Sequence, residues 1–264
     1  MSARTPPRLE ELLVRRVPPL GGFNLTFLWL EMRRLFRNRR TVLLTLLVPI
    51  ALFFLFRSRK FVAGPSAAEL TAASMIGIAV YGAMLSATSG GALVSVERAL
   101  GWSRQLRLTP LRPPAYIAIK MINAMLLGLA SVAIVYGAGA FSGVQMSWSV
   151  WLLSGLLAWL AALVFASFGL FMGYLLPTEN VMQVIGPVLG VFALVGGLFV
   201  PVTLLPATIQ DIAAYMPPYG VAQIARYPLE GGSFELSWVV SVVLWTLLFS
   251  AGAAFLFRRD TKRA

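Results

Sequence analysis

AASMIGIAVYGAMLSATSGGALVSVERALGWSRQLRLTPLRPPAYIAIKMINAMLLGLASVAIVYGAGAF, residues 72–141, holds two long apolar runs around one short basic segment. Ala72–Val96 and Tyr116–Phe141 are each long enough to cross a hydrocarbon core of about 30 Å, which takes roughly 20 apolar residues as helix. The segment between them carries Arg98, Arg104, Arg107 and Arg112. Lipid offers no partner for an open backbone, so a chain that alternates this way crosses as helices and keeps its charge in the connections.

The alternation continues outward in both directions. Thr41–Phe56, Val150–Leu176, Val181–Val200 and Leu236–Phe257 are four further apolar runs, and Thr41–Phe56 is short for a full span. The expected fold is all-α: a polytopic membrane protein with six transmembrane helices. A hydrophobic content of 58%, a mean hydropathy of +0.80 and only 12% charged residues lie far outside the soluble range. Residues 1–22 are rich in Pro and Arg, lack a long apolar core, and read as a mobile cytoplasmic tail rather than a cleavable signal. Residues 23–264 then form a single transmembrane domain.

The net charge of +12 reads as topology. With the N-terminus inside, 18 of the 22 Lys and Arg fall on the cytoplasmic side, in 1–40, 97–120 and 258–264. The positive-inside rule therefore puts both ends in the cytoplasm, and no nucleic-acid partner is needed to explain the charge. Arg57, Arg59 and Lys60 fall on the outer side, where they read as interfacial, and Lys120 is expected to snorkel from the start of the third span.

Three connecting regions have a character of their own. Phe23–Arg40 repeats Leu25, Leu28, Met32, Leu35 and Phe36 at helical spacing, with Arg33, Arg34 and Arg37 on the remainder. That is an amphipathic helix lying in the interface, which would serve equally as a lipid anchor or a partner-facing element. Segment 97–115 begins as a helix at Glu97 and Arg98, is interrupted at Gly101 and stopped by Pro110, Pro113 and Pro114. Its Leu106, Leu108 and Leu111 stand among arginines, the pattern of a protein-docking surface or of a helix resting on headgroups. Residues 200–220 are apolar but broken by Pro201, Pro206, Pro217 and Pro218. They read as a re-entrant helical hairpin before the last span, since irregular backbone at membrane depth must be covered by protein or line a cavity.

Small residues pattern two of the spans. Gly82, Ser86, Gly90 and Gly91 form a close-packing face on the second, read as packing within one subunit. Gly186, Pro187, Gly190, Gly196 and Gly197 make the fifth kinkable and closely packed. The chain holds no Cys and no His and no G-x-x-x-x-G-K-[ST] loop, and no acidic residue falls between Glu97 and Glu179. Thiol and imidazole chemistry, a catalytic centre, a metal site and a P-loop of its own are thereby excluded, and ion-coupled carriage lacks its usual intramembrane carboxylates. A membrane bundle with a docking segment and no engine points to an engine on another chain.

Taken in order, these segments resemble the ABC-2 type permease family, the membrane subunits of type V-fold ABC exporters. Glu31–Phe56 is similar to the family's connecting helix running into its first span. Glu97–Lys120 is similar to its coupling helix, with the acidic start, Gly and T-P-L pattern at Glu97, Gly101, Thr109, Pro110 and Leu111. Gly196–Arg226 is similar to its G-x-x-x-P…L-P…P motif, at Gly197, Pro201, Leu205, Pro206, Pro217 and Arg226. Ala99-Leu100 and the doubled Pro217-Pro218 depart from the usual pattern.

The resemblance implies a dimer, expected to be a homodimer, that docks two copies of an ABC ATPase subunit. ATP and Mg would sit on that partner, and this chain would hold no cofactor. Arg33, Arg34, Arg37, Glu97, Arg98, Gly101, Leu106, Leu108, Thr109, Pro110 and Leu111 would face the ATPase. Gly197, Pro201, Leu205, Pro206, Met216 and Pro217 would form an outer gate. Met75, Tyr81, Met84, Phe192 and Phe199 would line the path of a drug- or antibiotic-like amphiphile leaving through a bacterial cytoplasmic (inner) membrane. A lipid or lipid-linked glycan exporter, or a non-transporting scaffold, are the alternatives.

Overall fold

A computed structural model describes residues 24–58, 67–101, 113–199, 202 and 205–263. Among these, every regular element is a helix: α1 (Leu25–Arg37), α2 (Arg39–Ser58), α3 (Ala67–Ala92), α4 (Val94–Ala99), α5 (Pro113–Phe141), α6 (Trp148–Ala161), α7 (Leu163–Leu175), α8 (Thr178–Val195), α9 (Ala207–Ala213), α10 (Pro217–Glu230) and α11 (Leu236–Arg263). Five helices are long and apolar enough to cross a membrane: Ala68–Ala99, Ala115–Phe141, Trp148–Leu175, Thr178–Val195 and Leu236–Asp260. The expected first span contributes only the shorter apolar stretch Thr45–Arg57, so six full-length spans are not what the described residues contain.

Local chemistry sets the helix ends. Asn24 caps α1, its Oδ1 accepting from the Thr26 N–H at 2.8 Å. Asn38 then leaves helical geometry at ψ 77°, so α1 and α2 are two helices rather than one continuous rod. Leu93 and Ala162 interrupt their spans with tight i→i−3 bonds (Val96 N–H to Leu93 O, Ala162 N–H to Trp159 O) without ending them. Pro113 and Pro114 open α5 instead of merely stopping the preceding segment. A proline loses nothing in the first turn of a helix, where its missing N–H would have had no partner.

The core is built around α3. It packs against α5, α7, α2 and α10, and α7 in turn packs against α11. Glycines make this possible. A Cβ on Gly169 would lie 2.2 Å from the Thr88 carbonyl oxygen, and one on Gly91 would lie 2.6 Å from that of Ala166. The small-residue face read on the second span is thus consumed inside the subunit, with Gly82 against Pro49 and Gly90 against Ala124.

The fifth span differs from its reading. It ends at Val195, and Gly197 turns the chain at φ +69°. Much of α8 is exposed, and a Cβ on Gly186 or Gly190 would meet nothing within 4 Å. Only Gly196 is closely packed, against Pro218. Where a hairpin is expected at 200–220, α9 lies largely at the surface, and α10 runs on to Glu230 and packs against α3, α6 and α11. Pro217 and Pro218 again begin a helix rather than break one.

Candidate functional site

Polar side chains gather at two ends of the bundle. Gly77 and Glu97 mark them, about 30 Å apart along α3 and α4 at 1.5 Å per residue.

At the Glu97 end, Lys120 is buried and does not snorkel. Its Nζ donates to Glu31 of α1 and to Glu97 of α4. Tyr116, one helical turn before Lys120, donates its hydroxyl to the other oxygen of Glu97. Arg34 closes the group from the rim, 3.3 Å from Glu97 and 3.8 Å from Glu31, with about half its side chain exposed. Two carboxylates thus meet two cations, and the cluster is neutral. Buried ions are tolerated where each is paired and hydrogen-bonded in this way. A cavity of about 190 Å³ adjoins the group, and Asn123 in its lining has neither amide atom bonded to protein.

A second tie lies one residue on. Arg98 donates Nε and Nη2 to the two carboxylate oxygens of Asp260 on α11, at 3.1 and 3.0 Å. Its Nη1 reaches the carbonyls of Gly173 and Tyr174 at 3.0 and 2.9 Å. These are last-turn carbonyls of α7, which have no intrahelical donor. Thr178 Oγ1 donates to Ser95 O at 2.8 Å. The root of the 97–115 segment is therefore bonded to α1, α5, the end of α7, the start of α8 and α11.

The residues singled out in the sequence divide accordingly. Glu97 is buried with its carboxylate bonded within the chain, and Arg98 likewise bonds inside. Arg33 and Arg37 are exposed, Arg33 lying over the Trp29 ring. Gly101 adopts φ +72°, a left-handed geometry that suits Gly. Leu106, Leu108, Thr109, Pro110 and Leu111 lie outside the described residues, as do Arg59, Lys60 and Pro201.

Met75 and Met84 are fully buried within the bundle. Tyr81 and Phe56 enclose Phe199, with ring centroids 5.0 and 5.5 Å from it, and Phe192 packs on Phe168 at 5.6 Å. Around α9 and α10, Gly197 is the buried turn and Leu205 accepts from the Gln210 side chain at 2.7 Å. Pro206 precedes α9, Met216 caps α10, and Pro217 is buried.

Three residues of this framework had no role from sequence, Glu31, Tyr116 and Asp260, and Lys120 had been expected to snorkel. Glu31 carried a signal, a lone acid in an arginine-rich helix three residues before Arg34. The others carried none, their partners being remote in the chain.

The chain also matches known proteins. Residues 24–229 match the family model described as ABC-2 type transporter. A relative from Bacillus subtilis (strain 168), named "Putative transport permease YvfS", is 27% identical over 233 residues, covering 87% of this chain and 95% of that protein.

Proposed function

The chain belongs to the ABC-2 type transporter family, and from that premise we propose that it is the membrane subunit of an ATP-driven exporter for hydrophobic or amphiphilic small molecules. It is a multi-pass membrane protein. In this reading two ABC ATPase subunits dock at the Glu97 end and bring ATP and Mg. A second copy of the chain completes a homodimer in the bacterial cytoplasmic membrane, with both termini inside.

The single observation that carries the reading is the Glu31–Lys120–Glu97 cluster. A force applied to the 97–115 segment enters at Glu97 and is passed to α1 through Glu31 and to α5 through Lys120, because all three share buried ion pairs. Glu97 and Lys120 are thus positioning residues for transmission, and Arg33 and Arg37 remain available to a partner. ATP-driven closure of a docked ATPase pair would favour whichever arrangement of this unit it contacts better. Orientation is supported by the location of 18 of 22 basic residues. The dimer is supported by the exposed face of α8, where Gly186 and Gly190 leave room for a helix of another subunit.

The test is co-purification with the ATPase encoded beside this gene, followed by ATP hydrolysis in lipid nanodiscs with and without the permease. A stable complex with altered hydrolysis is expected. Failure of two folded proteins to associate would overturn the exporter reading.

A further inference from the structure

The far end of the bundle holds a buried charge that the transmission unit does not use. Arg226, on α10, is 6% exposed. Its Nη2 donates to Leu198 O at 3.1 Å, and its Nε has no partner. Among the described residues no carboxylate lies within ion-pair distance of it. A guanidinium does not shed its proton in a protein, so burial leaves a fixed positive charge, which Glu230 one turn further along α10 attracts without reaching ion-pair distance. Ionisable groups inside membrane bundles are rare, face the bundle interior or a cavity, and mark substrate or ion pathways.

Arg226 also lines a cavity of about 770 Å³ between α9 and α10, within the range of roughly 300–1,000 Å³ typical of small-molecule sites. Asp211, just after the middle of α9, and Glu230, at the end of α10, share the lining. Neither makes an ion pair among the described residues. Tyr219 and Gln223 add hydrogen-bonding groups, and Tyr215 adds an exposed ring. In a chain only 12% charged, one cation and two anions line one space, Arg226 and Glu230 attracting each other at longer range and none of the three closing an ion pair.

That arrangement selects among ligands. An anion alone would satisfy Arg226 but meet two carboxylates. A cation alone would leave the guanidinium uncompensated. We infer that this cavity binds a zwitterionic headgroup, a phosphate oxygen at Arg226 and an ammonium at Asp211 and Glu230, of the kind carried by phosphatidylethanolamine. Tyr215 and the neighbouring exposed Ile212 offer apolar surface to the acyl chains. Binding here is independent of whether an ATPase docks at the other end.

The test titrates delipidated, detergent-purified protein with dihexanoyl phosphatidylethanolamine, dihexanoyl phosphatidylglycerol and dihexanoylglycerol, read by calorimetry and native mass spectrometry. The wild type should prefer phosphatidylethanolamine to dihexanoylglycerol by about ten-fold or more, the scale of one charge-assisted contact. Arg226→Gln should erase that preference. Asp211→Asn with Glu230→Gln, both exposed positions, should move selectivity by about ten-fold toward phosphatidylglycerol. Competition by free glycerophosphoethanolamine would assign the site to a soluble zwitterion, and its failure to compete would assign it to lipid; both keep the headgroup site. Equal binding of all three lipids by the wild type overturns the inference. So does an unchanged lipid ratio in the Asp211/Glu230 variant, which decides the matter even if Arg226→Gln does not fold.

Discussion

Lys120 and Arg226 are both buried cations in an apolar bundle, and their surroundings are opposite. Lys120 touches two carboxylates, one of which also takes the Tyr116 hydroxyl. Arg226 touches one backbone carbonyl, keeps a buried unsatisfied Nε, and lines a large cavity. Burial alone therefore does not tell what a charge is for. The completeness of its partners does: a closed set fixes helices to one another, whereas an open set leaves binding capacity for something else. The proposed function would use both, a stiff end that takes up force and an end that can receive a ligand.

The largest expected effect is at the closed set. Lys120→Met leaves the buried Glu31 and Glu97 to share Arg34 at the rim and should cost about 3–5 kcal/mol, the scale for removing one partner of a buried pair. Melting of the purified protein in detergent measures it. Adding Glu31→Gln and Glu97→Gln should recover most of the loss, because the penalty lies in the excess buried charge rather than in a missing bond. A triple variant no more stable than Lys120→Met would mean that the group holds the helices by packing and not by charge.

A smaller effect is expected at the rim of the same end. Arg98 and Asp260 are partly exposed, with side-chain exposures of 26% and 31%. Solvent screens such a pair, and Arg98 keeps its bonds to the Gly173 and Tyr174 carbonyls when Asp260 is changed. Asp260→Asn should cost about 1 kcal/mol or less. A loss as large as that of Lys120→Met would show that the closed set extends from α1 across to α11.

The comparison also explains what could be read from the sequence. The long apolar runs declared themselves because a span needs little more than length and hydropathy. The Gly-Pro punctuation was visible too, but its sign was not: Pro113, Pro217 and Pro218 open helices, and Gly197 ends the fifth span five residues before its expected boundary. Which face of a helix is inside was not legible, and the sequence did not show that Met75 and Met84 would be fully buried. Ion pairs were the least legible. Lys120 and Glu31 are 89 residues apart, with a whole span between them, and no local pattern links them. Lys120 near a span end looked like any snorkelling lysine. Only the packing of α1 and α4 over that end closes its route to water.

The smallest stability effect, and the sharpest, should come from Arg226. Replacement by Met removes a buried charge that no described carboxylate reaches within ion-pair distance, together with one bond to Leu198 O. Losing that bond costs about 1 kcal/mol, and relief from burying the charge works in the other direction. Arg226→Met should therefore change stability by no more than about 1 kcal/mol in either direction, while Lys120→Met costs several times that. A near-neutral melt would mean that the fold does not depend on this guanidinium, as expected of a group held ready for a ligand at some expense to the free protein. A loss equal to that of Lys120 would place Arg226 among the structural ions, and the two ends would then differ only in geometry.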